Sequence, residues 1–287
     1  MELFTGSGVD LVTPMYGGDF DVPALTRLIE LQIASDADAL IVGSQCGEGF
    51  LLDHDEKAEL FRFIVDRVES RRPVIACTGC PSTAQTIEFS RLAEAIGVDA
   101  LLIGCPASIK ASDQGLLLHF SSILDELRLP VIISGSACRS DSALSQETVS
   151  SLSEYENLCG FIFDFSPSLA PLDTHGKALY CASDENALNA LTLGASALIS
   201  PAANVVPSMM HELCLAVFEG RADQAAALNT ALAPLFKLLS DEPLSVIVKA
   251  FLSRMNLCHE ELRLPLTPPS AELLRDIQAV LSRLELI

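Results

Sequence analysis

Tryptophan is absent from this 287-residue chain, and basic residues are scarce: 18 Lys and Arg stand against 38 Asp and Glu, giving a formal charge of -20. Such an excess of acid repels phosphate backbones and anionic lipid surfaces, so we expect no nucleic-acid partner. Long apolar runs are also missing, because Gly and Pro interrupt stretches such as residues 100–105 well short of the ~20 residues that a membrane span needs. We therefore predict a soluble protein without membrane contact.

Residues 1–8 lack the basic flank and the apolar segment of a signal peptide, which favours a cytoplasmic location. The nine cysteines lie mostly within apolar runs. This placement is typical of reduced, buried thiols rather than of disulfides. The spacing of Cys77 and Cys80 resembles a C-x-x-C motif, but residues three apart on a strand point to opposite faces, so we interpret the pair as buried thiols rather than as a zinc or redox site.

Short runs rich in Val and Ile recur along the chain, each followed by a polar turn and a segment with helical spacing of apolar residues. This alternation is typical of βα units, and eight runs fit a closed parallel barrel. The sequence therefore predicts an α/β fold, a (β/α)₈ barrel. The predicted strands are residues 8–13, 39–42, 73–78, 100–104, 130–134, 159–164, 178–182 and 197–200.

Asp53 and Ser82 can cap helices predicted over residues 54–68 and 83–96. Only about a dozen residues, rich in Pro and Gly, separate the sixth and seventh runs, so we expect that crossover helix to be lost or cut to one turn. After the eighth run, apolar residues recur at helical spacing without a strand. We predict a barrel over residues 1–220, which ends with a helix at 207–219. A C-terminal helical extension over 221–287 follows, with helices at 222–239, 243–257 and 270–286.

Reacting groups of (β/α)₈ barrels lie at the carboxyl ends of the strands, and the segments there resemble the family of dihydrodipicolinate synthase and N-acetylneuraminate lyase. The resemblance implies a barrel with a C-terminal helical appendix that assembles as a dimer or tetramer. It also implies a strand-six lysine that attacks the ketone of pyruvate and forms an imine. The matching motifs are Leu11-Val12-Thr13-Pro14, Gly47-Glu48, residues 52–56, residues 73–76 with Thr78-Gly79, Ala202 with Asn204-Val205, and Arg263-Leu264-Pro265-Leu266-Thr267-Pro268.

The residues that carry this chemistry in the family differ here. Ile162 stands after Gly160-Phe161, where the family has its lysine, and an alkyl group cannot form an imine. Ser134 replaces the proton-shuttling tyrosine of strand five, and Ser108 replaces the tyrosine that neighbouring subunits exchange. The Gly-Thr-Thr-Gly-Glu loop that holds the pyruvate carboxylate reads Ser44-Gln45-Cys46-Gly47-Glu48.

Another lysine could in principle serve, and Lys110 is the one that sequence position places at the carboxyl ends of the strands. It follows strand four, where an ammonium stays hydrated and protonated near its usual pKa of ~10.4. Activation of such a lysine needs burial or a cationic neighbour, so we expect Lys110 to be inert. Lys57 lies in a helix just after its start, and we set it aside.

Polar residues at the mouth are candidates for ligand binding. Asp10 and Asp164 are predicted to point inwards, Glu48, Asp184 and Glu185 follow other strands, and Arg139 faces a substrate carboxylate in the synthase branch of the family. These carboxylates can form a hard-cation site or an acid/base pair, or they can hydrogen-bond loops and pair with Arg139. We favour the second interpretation, because no close spacing of metal ligands occurs, and we expect neither a metal nor a cofactor. The ligand-binding candidates are Gln45, Cys46, Gly47, Glu48, Arg139, Asp10 and Asp164.

The sequence therefore predicts a family barrel without Schiff-base catalysis, with no catalytic residue assigned. We expect it to bind a small ligand such as a carboxylate, or to act as a regulatory or scaffold subunit, as a homodimer or homotetramer. Whether it retains enzyme activity stays open at this stage. The alternative is a lyase or hydrolase that acts on a small oxo acid at the same mouth through a mechanism without lysine, using Asp10, Asp164, Cys46 or a bound metal. A third interpretation is a partner of an active paralogue in a mixed oligomer.

Overall fold

The structure, a computed structural model, describes residues 3–106, 109–135, 144–163, 165 and 173–287. Eight parallel strands close a barrel in the order β1-β10-β9-β8-β7-β6-β5-β4. The predicted (β/α)₈ fold is thereby confirmed. The barrel strands are β1 (Gly6–Asp10), β4 (Ala39–Val42), β5 (Val74–Cys77), β6 (Ala100–Gly104), β7 (Val131–Ser134), β8 (Leu158–Ile162), β9 (Ala178–Cys181) and β10 (Ala197–Ser200), and an antiparallel hairpin of β2 (Met15–Tyr16) and β3 (Asp19–Phe20) follows β1.

Helices cover the outside of the barrel. Asp53 caps α2 and forms a reciprocal pair of hydrogen bonds with Glu56, which explains why this helix begins where the sequence predicts. The helices that follow successive strands are α1 (Val22–Ala34), α2 (His54–Val68), α3 (Thr83–Ile96), α4 (Asp113–Glu126), α5 (Gln146–Leu152), α6 (Ala187–Thr192) and α7 (Pro207–Phe218).

Three helices follow the barrel: α8 (Ala222–Asp241), α9 (Leu244–Arg254) and α10 (Ala271–Arg283). Both α8 and α9 contact the short 3₁₀ turn Ala202–Asn204 that follows β10, so the extension packs close to the carboxyl ends of the strands. Eight residues of α9 are buried, including Ser245 and Lys249. The extension therefore contributes to the region in which the candidate site lies. No helix in the described part of the chain is both long and apolar enough to cross a bilayer.

Two details differ from the sequence-based expectation or lie beyond it. Pairing of β1 begins at Gly6 and ends at Asp10, earlier than the predicted run over residues 8–13. The flanking Leu11 donates one more hydrogen bond, from its N–H to the Ile41 carbonyl, but the strand ends there. Residues 163–177 join β8 to β9, and since 164 and 166–172 lie outside the described residues, the predicted loss of a crossover helix stays a prediction.

The hydrophobic core has two parts. The larger part lies between the strands and the helices. The smaller part fills the barrel interior with aromatic, branched and small side chains: Phe4, Ala39, Ile41, Ile75, Ala100, Ile132, Cys159, Ile162, Tyr180, Ala197 and Ile199. Alternate residues of some strands contribute to this inner cluster, such as Ala39 and Ile41 of β4 and Ala197 and Ile199 of β10, as the two-residue period of a strand requires.

Candidate functional site

Ile162 is the last residue of β8, the sixth strand of the barrel. It pairs with Ser134 of β7 on one side and with Tyr180 of β9 on the other. Its side chain is 4% exposed and belongs to the apolar cluster inside the barrel. The end of the sixth strand therefore presents a buried alkyl group to the barrel interior. The half-buried Ser134 lies beside it on the neighbouring strand.

Tyr180 occupies much of the barrel interior next to this strand. It is fully buried, and its ring stacks on Phe4 with the ring centroids 5.2 Å apart. Gly160, two residues before Ile162, leaves room for it: a Cβ at Gly160 would stand 2.5 Å from Tyr180 Cε2 and 2.7 Å from the Ala178 carbonyl oxygen. Sequence reasoning placed Tyr180 on a strand but gave no sign that it fills the space opposite Gly160.

Asp10 and Ser44 form a buried polar pair at the ends of the first two barrel strands. The Ser44 hydroxyl donates a hydrogen bond to the Asp10 carboxylate and accepts one from the Gly47 N–H at 3.3 Å. The two residues are 2% and 8% exposed. Asn204 Nδ2 donates to the Asp10 carbonyl oxygen at 2.7 Å and fixes the end of β1. Asp10, a sequence candidate, thus points inwards as expected but is already engaged by neighbouring loops.

Asp184 extends the polar group towards the last two strands. Its carboxylate accepts hydrogen bonds from the Ala202 N–H at 2.8 Å and from Ser200. Burial, and to a smaller extent the negative charge of Asp10, raise the pKa of Asp184, whereas both hydrogen bonds lower it; the net pKa is about 6. Two buried carboxyl groups, Asp10 and Asp184, therefore interact electrostatically at the mouth.

Glu48 lies in the same loop but faces the C-terminal extension. One carboxylate oxygen forms an ion pair with Lys249 of α9, and the other accepts the Arg263 N–H at 2.9 Å. The Lys249 ammonium also donates to the Glu261 carbonyl at 2.8 Å, and both paired side chains are at most 1% exposed. Since both oxygens of Glu48 have partners, the geometry favours the alternative that Glu48 holds a loop; its role as a ligand-binding residue is a prediction that no contact supports.

The rest of this loop is divided between surface and core. Gln45 is exposed, whereas Cys46 is fully buried and belongs to the core between strands and helices. Gly47 allows the loop to pass close to β1, because a Cβ there would stand 2.8 Å from the Leu11 carbonyl oxygen. Of the loop candidates, Gln45 is therefore the one that a ligand at the surface can contact directly.

Other predicted residues lie elsewhere. Ser108, Arg139 and Asp164 fall outside the described residues. Glu185 accepts a hydrogen bond from Ser240 of α8 at 3.2 Å and so faces the extension. Within the described part of the chain, no three His, Cys, Asp or Glu side chains gather closely enough to hold a metal ion.

The five lysines are Lys57, Lys110, Lys177, Lys237 and Lys249. Lys177 donates to the Tyr155 carbonyl next to the amino end of β9, Lys237 pairs with Asp241 on α8, and Lys110 is exposed. None of the five lies on a strand of the barrel. Lys57, which sequence reasoning set aside, is the one lysine in the described chain whose pKa is lowered, and burial is the cause.

Comparisons with known proteins agree with this architecture. The model of the dihydrodipicolinate synthetase family matches residues 3–284. A 4-hydroxy-tetrahydrodipicolinate synthase from Methylibium petroleiphilum is 37% identical over 279 residues, which cover 95% of each chain. Another, from Geobacter metallireducens, is 32% identical over 99% of this chain and 100% of its own.

Solved structures give the same result. The chloride-inhibited dihydrodipicolinate synthase from Acinetobacter baumannii, crystallised with pyruvate, is 30% identical, with a TM-score of 0.94 and 99% coverage of both chains. A structure described as the first monomeric dihydrodipicolinate synthase variant is 28% identical, with a TM-score of 0.93, and covers 99% of this chain and 98% of its own. Fold and site together define a (β/α)₈ barrel with its polar groups at the carboxyl ends of the strands. The chain belongs to the dihydrodipicolinate synthetase family.

Proposed function

We propose that this family member binds a small ligand at the barrel mouth without forming an imine there, and that it acts as a binding, regulatory or scaffold protein. The single observation that carries the proposal is the buried alkyl side chain of Ile162 at the end of the sixth strand. Imine formation requires an amine nucleophile, and none of the five lysines lies on a barrel strand.

The neighbouring groups support the same proposal. Ser134, the pairing partner of Ile162, has a hydroxyl of ordinary basicity in place of the phenol that moves protons in the family. Asp10 and Ser44 are hydrogen-bonded to each other where the family holds a carboxylate. The mouth described here therefore carries two buried carboxyl groups, and Arg139 would supply the positive charge for a carboxylate ligand.

The decisive experiment combines turnover with trapping. Full-length protein is incubated with pyruvate and borohydride, and peptide mass spectrometry searches every lysine for the reduced adduct; consumption of pyruvate is followed in parallel without borohydride. We expect neither turnover of pyruvate nor an adduct on any lysine. A small carboxylate that binds at the mouth should raise the Tm of the protein. Turnover of pyruvate through a trapped imine would overturn the proposal.

A second candidate function rests on a different observation. Asp184 has a pKa of about 6 and lies near the charge of Asp10, and such pairs of carboxyl groups serve as acids and bases in enzymes. On this alternative the protein is a lyase or hydrolase of a small oxo acid without a lysine mechanism. Asp10→Asn would abolish such an activity, whereas a purely ligand-binding protein would show no turnover to lose.

Assembly stays a prediction. The family resemblance implies a homodimer or homotetramer, but the described residues do not include Ser108, the position that neighbouring subunits exchange in the family. Sedimentation velocity on the purified chain distinguishes a monomer from these assemblies. Co-purification at native expression levels tests the separate hypothesis of a mixed oligomer with an active paralogue.

A further inference from the structure

Lys57 lies outside the barrel, on α2, and its ammonium points towards an aromatic ring. The residue is 7% exposed, and Nζ stands 5.5 Å from the centroid of the Phe89 ring of α3. Within the part of the chain that the structure describes, Nζ forms neither an ion pair nor a hydrogen bond. A buried ammonium without a carboxylate partner is rare in folded proteins, because burial penalises its charge.

The surroundings of Lys57 favour the neutral amine. Burial lowers the pKa of Lys57, and the Cys80 and Cys77 thiols oppose this effect. These two thiols are the titratable groups that act on Lys57 from β5 and the loop after it. A desolvated lysine in an apolar environment holds a larger fraction of nucleophilic amine at neutral pH than an exposed lysine does.

The same place is open to solvent on one side. His54, one helical turn before Lys57, is exposed and stacks on the same Phe89 ring, with centroids 4.7 Å apart and planes at 11°. Its Nε2 lies 3.7 Å from Sγ of the half-buried Cys80. Thr86 holds the backbone of Cys80, whose N–H donates to Thr86 Oγ1 at 3.1 Å. His54 and Lys57, three residues apart on α2, thus lie on the same face of the helix, against the same ring.

We propose that Lys57 is a carbonyl-reactive lysine that forms an imine with a small, uncharged aldehyde at a second site between α2 and the loop after β5. We expect an uncharged aldehyde because, apart from His54, the groups around Lys57 are an aromatic ring and two thiols, which form no ion pair with an anionic group. The site does not use the barrel interior, so this inference stands apart from the function proposed for the mouth.

The reaction balances without an oxidant or a metal. The Lys57 nitrogen attacks the carbonyl carbon, and a proton moves from nitrogen to the former carbonyl oxygen, giving a carbinolamine. His54 then protonates this hydroxyl, the C–O bond breaks, and water leaves as the C=N bond forms. The second nitrogen-bound proton returns to His54, so amine and aldehyde yield imine and one water.

The test compares lysines within one protein. Full-length protein is treated with limiting propanal and cyanoborohydride at pH 7, and peptide mass spectrometry gives the propylation rate of each lysine. We expect Lys57 to react about threefold or more faster than exposed Lys110 and Lys237, since a lower pKa leaves more free amine. At pH 10 we expect the advantage of Lys57 to shrink, because this pH lies close to the usual lysine pKa of ~10.4, so a lower pKa adds little further free amine.

Two variants and an internal control sharpen the result. His54→Gln slows Lys57 but leaves the Lys110 rate unchanged, and Lys57→Arg removes the fast reaction. The buried Lys249 reports on folding, because it stays slow in any variant that keeps the native structure. If Lys57 at pH 7 reacts no faster than Lys110, or if a folded His54→Gln protein labels Lys57 at the original rate, the proposal is wrong.

Discussion

Lys249 and Glu48 form a buried ion pair across 201 residues of sequence, between a C-terminal helix and the loop after the second barrel strand. The Glu48 carboxylate also accepts the Arg263 N–H, and the Lys249 ammonium also donates to the Glu261 carbonyl. Together these contacts connect the extension directly to the loop after β4. The shape of the mouth therefore depends on the extension.

Removing one partner of this pair should destabilise the protein strongly. Lys249→Met leaves the Glu48 carboxylate buried without its cation, and we expect a loss of about 3–5 kcal/mol in the free energy of unfolding, measured by urea titration. Lys237→Met is the matched control, because its pair with Asp241 is exposed, and it should change the free energy of unfolding far less than Lys249→Met does. Equal losses for the two substitutions would show that the buried Lys249–Glu48 pair contributes no more to stability than an exposed pair.

The raised pKa of Asp184 makes stability depend on pH in a definite direction. The folded state binds this proton more tightly, with a pKa of about 6 against an ordinary value of 3.8. The contribution of Asp184 is thus greatest below about pH 4 and is lost as pH rises through about 6. We expect the wild type, measured relative to Asp184→Asn, to lose up to about 3 kcal/mol between pH 4 and pH 7.

Urea titrations of both proteins at each pH give this difference. Asp113→Asn is a control of opposite sign, because hydrogen bonds from Ser145 and Thr148 lower the pKa of the exposed Asp113. Its contribution is present at neutral pH and is lost as pH falls below about 4. Removing the nearby charge with Asp10→Asn should lower the pKa of Asp184 and shift its transition to lower pH. A stability difference for Asp184→Asn that does not change with pH would exclude the raised pKa.

The sequence was sufficient for the elements whose signals are local. The predicted bounds of β4, β6, β10, α2 and α3 agree with the structure. Asp53 caps α2 as predicted, whereas the Ser82 side chain forms no capping hydrogen bond at the start of α3, which the apolar pattern alone indicates. Contacts between distant segments left no such signal. The pairing of Glu48 with Lys249 and the burial of Lys57 against Phe89 depend on packing of helices. The sequence places Lys57 just after the start of a helix but gives no sign of either contact.

Gly160 should tolerate no side chain. A Cβ at this position would stand 2.5 Å from Tyr180 Cε2 and 2.7 Å from a carbonyl oxygen of the adjacent strand, so either the ring or β9 must move. We expect Gly160→Ala to lower the free energy of unfolding by about 1–3 kcal/mol, as overpacking of a core does. Urea titration measures the change.

Gly115 offers the matched control for this substitution. It lies in the first turn of α4 in a helical conformation, and its Cβ would approach the flexible Ser112 hydroxyl at 3.3 Å. Gly115→Ala should be neutral or stabilise by up to about 1 kcal/mol, because alanine loses less conformational entropy in a helix. Comparable losses at Gly160 and Gly115 would mean that Tyr180 does not occupy the space opposite Gly160.

Ile162→Lys tests whether the mouth lacks only its nucleophile. The substitution places an amine beside Ser134 at the end of β8, in a site where burial favours the neutral form. We expect a pyruvate adduct after borohydride reduction, mapped to the peptide that contains position 162, and a lowered Tm from the buried polar group. Pyruvate should not turn over at a measurable rate, because Ser134 offers no group of suitable pKa to move protons.

Ile162→Met, similar in volume but without an amine, is the control and should give no adduct there. An adduct at the mouth in Ile162→Met would show that another group already performs the chemistry that the lysine performs in the family.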